Sequence, residues 1–130
     1  MEINIPLNTV LTKKIIVQSN DTAKVYGSGT LDVFATPAMI ALMENVAYNA
    51  IQAFLPNGMG SVGISIHAEH TKASPVGTQI ECTASVEKIE GRKVFFKIHA
   101  NDEQAEIGTA THLRYIVNNM DFMQKIQNKK

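Results

Sequence analysis

The spacing of hydrophobic residues changes once along the chain, and the change separates a predicted helix from a predicted sheet. Between residues 37 and 55, apolar positions recur with the 3.6-residue period of an amphipathic helix. After residue 60, apolar and polar residues alternate with the period of two that is typical of half-buried strands. The alternation predicts strands over 61–71, 78–90, 92–100 and 105–117.

Shorter patterns complete the prediction. Residues 10–17 are rich in β-branched side chains and predict a first strand, with a short return strand over 23–26. Residues 120–130 predict a short helix or a frayed tail. The turns between the later strands are too short for crossovers, so these strands must be antiparallel. The predicted fold class is therefore α+β, one long helix on an antiparallel sheet, in a single domain over 1–130.

The predicted helix contains one charged residue, Glu44. On a helical wheel that starts at Ile40, Glu44 lies about 40° away and inside the apolar stripe. A carboxylate there costs free energy unless it is paired, and perturbed carboxylates cluster at functional sites. Glu44 is therefore a candidate site residue. The alternative is a glutamate at the edge of the stripe that reaches water or forms a structural ion pair.

The start of the helix offers a second candidate, Thr36. Thr36 before Pro37 is typical of an N-cap followed by the first helical residue. The free N–H groups of a first helical turn can also stabilise an oxyanion. Thr36 and Glu44 are about two turns apart and are expected to flank one groove. A purely structural N-cap is the alternative for Thr36.

His70 is the third candidate, because it continues the apolar alternation of its strand. Val62, Ile64, Ile66 and Ala68 are expected on the same face. Either a hydrogen-bonded core histidine or a site residue fits this position. The other histidines (His67, His99 and His112) add no spacing that matches a helical pair of metal ligands. Neither a metal nor a cofactor is predicted.

The charge balance restricts the partners. Lysine and arginine together number 12, as do aspartate and glutamate, so the formal net charge is zero. A nucleic-acid partner is therefore not expected, since such proteins usually carry a basic excess. Only 18% of the residues are charged, against roughly 25% in a typical soluble domain. A surface poor in charge favours self-association, as a homodimer or homotetramer.

The cysteine content and the N-terminus suggest where the protein acts. Cys82 is the only cysteine and lies in an alternating strand, where a buried, inert thiol is expected. Without a possible disulfide, a reducing and hence cytoplasmic location is predicted. The N-terminal residues lack a signal-peptide pattern, and polar residues interrupt the longest weakly charged run. No membrane span is therefore predicted.

Several short motifs share their spacing with a known family. The motifs are Phe34-Ala35-Thr36-Pro37, Met43-Glu44, Gly63, His70-Thr71-Lys72-Ala73-Ser74-Pro75-Val76-Gly77, Glu90-Gly91-Arg92-Lys93 and Gly108-Thr109-Ala110-Thr111-His112-Leu113-Arg114. Together they cover roughly Val10 to Phe122. In this spacing the chain resembles the hotdog-fold thioesterases of the fluoroacetyl-CoA thioesterase-like group, in which an antiparallel sheet wraps around one long helix.

The resemblance implies an acyl-CoA hydrolase whose catalytic residues are Thr36, Glu44 and His70. It also implies that the backbone N–H of Gly63 lies near the thioester carbonyl, and it adds Phe34 to the expected substrate-binding residues. Hotdog proteins are usually at least dimers, with acyl-CoA sites between subunits. In the fluoroacetate-specialised case, aromatic residues before the Phe-Ala-Thr segment enclose the acyl group. Here residues 27–31 read Gly-Ser-Gly-Thr-Leu, so the resemblance implies thioesterase chemistry without a preference for fluorine.

Some roles stay open at this stage. Glu44 is either a general base or a direct nucleophile, and Thr36 either attacks or holds the substrate or water. The candidates to meet the CoA phosphates, as an alternative to ordinary surface charges, are Lys72, Arg92, Lys93 and Arg114.

Other function classes are also compatible with the sequence. The main alternative is a hotdog protein that binds acyl-CoA or another small ligand without turnover. A dehydratase or hydratase is a second alternative, but the spacing of its usual motif is not found here. Release of thiol from acyl-CoAs distinguishes the hydrolase from the binding protein.

Overall fold

One antiparallel sheet of five strands carries a long helix on its inner face. The computed structural model describes residues 3–128. Its elements are β1 (Val10–Ile16), α1 (Ala23–Tyr26), α2 (Thr36–Gln52), β2 (Met59–His70), β3 (Gln79–Glu90), β4 (Lys93–Asn101), β5 (Glu106–Asn118) and α3 (Asn119–Gln127). The strand order is β1-β3-β4-β5-β2, and all pairs are antiparallel. The predicted α+β class is confirmed.

The strands follow the predicted alternation over most of β3, β4 and β5, with register shifts at Glu87 in β3 and at Ile107 in β5. Their inward residues pack against the buried stripe of α2, as predicted for Val94, Phe96 and Ile98. Cys82 is fully buried on β3, and burial raises the pKa of its thiol to about 12, so an inert thiol is confirmed. In the described part of the chain, no helix is long and apolar enough to cross a membrane.

The predicted return strand over 23–26 is wrong, because this segment forms the single helical turn α1. The side chain of Thr22 accepts a hydrogen bond from the N–H of Val25 at 3.4 Å and caps the turn. Gly27 ends it in the left-handed conformation, with φ of 77°. The actual partner of β1 is β3. At the other end, α3 agrees with the predicted terminal helix, and residues 129 and 130 lie outside the described range.

A β-bulge in β2 changes which of its residues face α2. Gly63 pairs with Arg114 and Ser65 pairs with Leu113, so Ile64 is an extra residue. Because one extra residue inverts the alternation, Gly63 before the bulge and His70 after it both face inward. The prediction that Ile64 shares the face of His70 is therefore wrong, and Ile64 is 57% exposed.

The same inversion changes the face of the sheet on which Val62 lies. Its neighbour Gly63 faces α2 in that part of β2, so Val62 lies on the outer face, contrary to the prediction. The prediction holds for Ile66, Ala68 and His70, which lie beyond the bulge opposite the inward residues of β5.

Gly108 sets how closely α2 approaches the sheet. It pairs with His70 across β5 and β2. A Cβ atom at this position would lie 2.6 Å from the sulfur of Met39 on α2 and 2.7 Å from the carbonyl oxygen of Glu69. The missing side chain therefore allows the first turns of α2 to rest directly below His70.

We predict that Gly108→Ala destabilises the protein, because a backbone oxygen cannot yield to the added methyl group. The free energy of unfolding should fall by about 1–3 kcal/mol, the usual cost of overpacking, as measured by denaturant unfolding. Thr111→Ala, at an exposed position of the same strand, is the control and should change it by less than about 0.5 kcal/mol. Wild-type stability in Gly108→Ala would contradict the close approach.

Candidate active site

The hydroxyl of Thr36 contacts a histidine instead of capping the helix. The N-cap is Ala35, whose carbonyl accepts the N–H of Met39 at 2.9 Å, so α2 begins one residue earlier than predicted. The predicted role of Thr36 as N-cap is therefore wrong. Its Oγ1 lies 2.8 Å from Nδ1 of His70, within hydrogen-bond distance.

His70 is held by the protein on one nitrogen only. Its ring meets Phe34 edge-on, with centroids 6.3 Å apart. Among the described residues, Nε2 of His70 is buried without a hydrogen-bond partner. Burial lowers the pKa of the imidazole, against a smaller opposing effect of the Lys72 backbone. A neutral ring next to a hydroxyl is an arrangement that can accept the hydroxyl proton.

A small cavity opens beside this pair. Its volume is about 280 Å³, and it is lined by Ala23, Ser28, Val33, Phe34, Thr36, His70, Thr71, Lys72 and Ala73. Phe34 is only 2% exposed and supports the histidine ring; its contact with a substrate stays a prediction. Lys72, predicted as a phosphate ligand, lies with Nζ 2.6 Å from Oδ2 of Asp102, so its charge is already paired.

Glu44 lies on the flank of α2 rather than inside its buried stripe. The buried residues are Ala38, Met39, Leu42, Met43, Val46, Ala47, Ala50 and Ile51. Their centre is about 90° from Ile40 on the side away from Glu44. The placement of Glu44 inside the stripe is therefore wrong, because the wheel took Ile40 as the centre. The alternative of a residue at the edge agrees with its half-buried position.

Gly63 makes room for the carboxylate of Glu44. A Cβ atom on Gly63 would lie 2.9 Å from Oε2 of Glu44, 3.5 Å from Cε1 of His112 and 3.6 Å from Nη1 of Arg114. The four residues therefore meet at one point, where β2 and β5 cross the middle of α2. Any side chain at position 63 would displace the carboxylate.

Arg114 and His112 belong to this cluster; the sequence suggested Arg114 only as a phosphate ligand, and His112 was not singled out as a site residue. Arg114 is 8% exposed and His112 is 3% exposed, so the alternative of an ordinary surface charge is wrong for Arg114, and its contact with a CoA phosphate stays a prediction. Both residues share the parity of Ala110 and Ile116 in the last strand, which are buried. This alternation could have predicted their burial from the sequence, because it turns both polar side chains toward α2.

Two groups of functional side chains thus lie at different points along α2. Thr36 and His70 meet at its start, whereas Glu44, Gly63 and Arg114 meet about two turns later, roughly 12 Å along the helix axis. The first group offers a hydroxyl and a neutral imidazole. The second offers a carboxylate near a fixed positive charge.

Comparisons with known proteins identify the family of the chain. The family model for fluoroacetyl-CoA-specific thioesterases matches residues 17–120. A fluoroacetyl-CoA thioesterase from Streptantibioticus cattleyicolor is 37% identical over 98 residues, which are 75% of this chain and 70% of that protein.

Solved structures show the same similarity to fluoroacetyl-CoA thioesterases. A structure of the fluoroacetyl-CoA thioesterase FlK is 30% identical, covers 98% of both chains and superposes with a TM-score of 0.90. A variant of FlK was solved with acetyl-CoA. A hot-dog-like protein from Thermanaerovibrio acidaminovorans, 21% identical over 95% of this chain and 92% of its own, has a TM-score of 0.88. The predicted hotdog fold is confirmed.

His70 and His112 predict how the stability of the protein depends on pH. Burial is the main cause that lowers the pKa of His70 and of His112 below the usual 6.5. The unfolded chain therefore binds protons more readily, and the free energy of unfolding should fall as the pH drops below about 6.5. Urea unfolding at about pH 7.5 and about pH 5.5 measures the loss. A variant with both histidines changed to glutamine should lose less; an equal loss would contradict the assignment.

Proposed function

The chain belongs to the family of fluoroacetyl-CoA-specific thioesterases and is a thioesterase, and we propose that it hydrolyses acyl-CoA at Thr36, Glu44 and His70. The products are a carboxylic acid and CoA. The observation that carries the site proposal is the 2.8 Å contact between Oγ1 of Thr36 and Nδ1 of His70. A hydroxyl paired with a neutral imidazole is an activated nucleophile of the kind that acyl transfer requires.

The first half of the reaction uses this pair. The Thr36 hydroxyl gives its proton to Nδ1 of His70 while Oγ1 bonds to the thioester carbonyl carbon. The free N–H groups at the start of α2 and the N–H of Gly63 donate to the oxyanion that forms. The carbon–sulfur bond then breaks, and the imidazolium returns its proton to the departing thiolate of CoA. An acyl group stays on Thr36.

The second half uses Glu44. Its carboxylate accepts a proton from water, whose oxygen attacks the acyl carbon. The bond between that carbon and Oγ1 of Thr36 breaks, Oγ1 recovers the proton, and the carboxylic acid leaves. The positively charged guanidinium of Arg114 lies close to this carboxylate, with both groups near Gly63.

Both halves require the two groups of side chains to meet around one acyl group, and we propose that a second copy of the chain achieves this. The rise of about 12 Å between Thr36 and Glu44 is too long for both to reach one carbonyl carbon. β2 is at the edge of the sheet, and no strand of residues 3–128 covers its outer side. An exposed edge of 12 residues is a ready site for pairing with another strand.

Pairing of β2 with its copy about a two-fold axis gives the required geometry. An axis near Ile66 would set Gly63 opposite His70 of the partner subunit, because the two strands run antiparallel. The carboxylate beside Gly63 then faces the hydroxyl and imidazole of the other chain. The low proportion of charged residues supports this homodimer.

The acyl group is proposed to be short. The cavity beside Thr36 holds only about 280 Å³, and a relative acts on a two-carbon acyl group. Residues 27–31 carry no aromatic side chain to enclose it, which favours an unfluorinated substrate. The buried thiol of Cys82 suits a reducing compartment, so we place the activity in the cytoplasm.

We predict that Glu44→Gln and His70→Ala each lower kcat by about 100-fold or more, because each removes a proton acceptor. Thiol release from a panel of acyl-CoAs measures the rate. Glu44→Gln should also accumulate an acyl group on Thr36, detectable by mass spectrometry. The control is Glu103→Gln, at an exposed position of the turn between β4 and β5. Full activity in either site variant would overturn the assignment, and ligand binding without thiol release by the wild type would favour the binding protein.

A mixture of the two inactive variants tests the shared site. If Glu44 of one chain and His70 of the partner subunit form one active site, each mixed dimer has one intact site. Glu44→Gln and His70→Ala, unfolded together and refolded in equal amounts, should then recover about one quarter of the wild-type activity. Each variant refolded alone is the control. No recovery, despite mixed dimers shown by native mass spectrometry, would place the site within one chain.

A further inference from the structure

The positive charge nearest to Glu44 is held by neutral acceptors. The guanidinium of Arg114 donates from Nε to Oγ of Ser61 at 2.7 Å and from Nη2 to the Ser61 carbonyl oxygen at 2.9 Å. Its third nitrogen, Nη1, lies 3.3 Å from Nε2 of His112. Each of the three guanidinium nitrogens therefore has a neutral hydrogen-bond partner. The Tyr48 ring lies 5.8 Å from the guanidinium carbon and covers one face.

Glu44 is close to this charge without forming an ion pair with it. A Cβ atom on Gly63 would lie within 4 Å of both Oε2 of Glu44 and Nη1 of Arg114. Burial, the main cause, lowers the pKa of the Arg114 guanidinium, and the charge of Glu44 opposes it. Yet among residues 3–128 the ion pairs do not include Glu44 with Arg114. The carboxylate thus experiences the positive charge and keeps its oxygens unoccupied.

His112 determines where Nη1 points. Its Nδ1 lies 2.8 Å from the carbonyl oxygen of Ser65, which accepts a hydrogen bond only, so Nδ1 carries the proton. Nε2 is then a lone-pair acceptor, matched to the N–H of Arg114. Burial, the main cause, and the charge of Arg114 lower the pKa of this ring, whereas the Ser65 carbonyl and Glu44 oppose them. The Phe96 ring, 5.9 Å away, fixes its plane.

We propose that His112 is a positioning residue, which holds Arg114 beside Glu44 but prevents the direct ion pair that would occupy the carboxylate. This inference rests on the proposed role of Glu44 as a base. A free, ionised carboxylate can accept a proton from water, whereas one bound by a guanidinium fork is a weaker acceptor. The groups that face Glu44 are Arg114 and His112 from β5 and Tyr48 from its own helix.

Crystal structures of two variants test the geometry independently of activity. In His112→Leu, Nη1 loses its acceptor, and a buried donor without a partner is costly. We expect the guanidinium and the Glu44 carboxylate to close to about 2.7–2.9 Å. In His112→Gln, the amide can donate to the Ser65 carbonyl and accept from Arg114, so the wild-type separation should persist. An unchanged separation in His112→Leu would overturn the proposal.

A double-mutant cycle tests the effect on the reaction. His112→Leu should lower kcat by about 10-fold in the wild type and leave the residual rate of Glu44→Gln unchanged, because it acts through that carboxylate. His112→Gln should stay within about 3-fold of the wild type. His99→Leu, at an exposed position of β4, is the control. Equal losses in both backgrounds would mean that His112 has only a structural role.

The two experiments also separate this inference from the proposed function. If His112→Leu does not fold, His112→Asn replaces it, since the shorter amide cannot bridge Ser65 and Arg114. If the wild type releases no thiol from any acyl-CoA, the proposed function fails, and the distances in the crystal structures still decide whether His112 holds Arg114.

Discussion

The close contact of α2 with the β2–β5 strand pair is the constraint on which the rest of the structure depends. At two points a helix side chain lies so near a strand that a Cβ atom on the glycine there would collide with it, Gly108 against Met39 and Gly63 against Glu44. The first contact sets the start of α2 below His70, which brings Thr36 within hydrogen-bond distance of the ring. The second leaves space for a carboxylate between helix and sheet. Dense packing transmits any change at either glycine directly to these polar groups.

The bulge at Ile64 is needed because Gly63 and His70, which belong to the two groups, are on the same strand, β2. Gly63 and His70 are seven residues apart, and an unbroken strand would turn residues of odd and even number to opposite faces. One extra residue restores the same face to both. The polar residues of β5 that face inward are then paired with residues of β2 that also face inward. Arg114 lies opposite Gly63, and His112 lies opposite Ile66. The polar cluster is therefore a consequence of strand register rather than of local sequence.

These features explain which parts of the molecule the sequence could predict. Periodicity depends on burial alone, so α2 and the alternation of β3, β4 and β5 were predicted correctly. The bulge has no signature of its own, since Ile64 is as apolar as a core residue, and it was missed. Thr36 was taken as an N-cap because its type suits that role, whereas the N-cap is Ala35 and the Thr36 hydroxyl is free to contact His70. Arg114 was assigned to the surface by residue type, although its parity placed it inside.

The resemblance to a known family selected Thr36, Glu44 and His70, but their separation within one chain is a matter of three-dimensional geometry. A helix carries residues eight positions apart to points about 12 Å distant, so Thr36 and Glu44 lie at different points along α2. A sheet edge that carries Gly63 near one end and His70 at the other can bring the separated groups together in a dimer. Antiparallel pairing of that edge with its own copy opposes the two ends. Under the proposed dimer, covering the exposed edge and completing the site are therefore the same event, and selection for either one maintains the other.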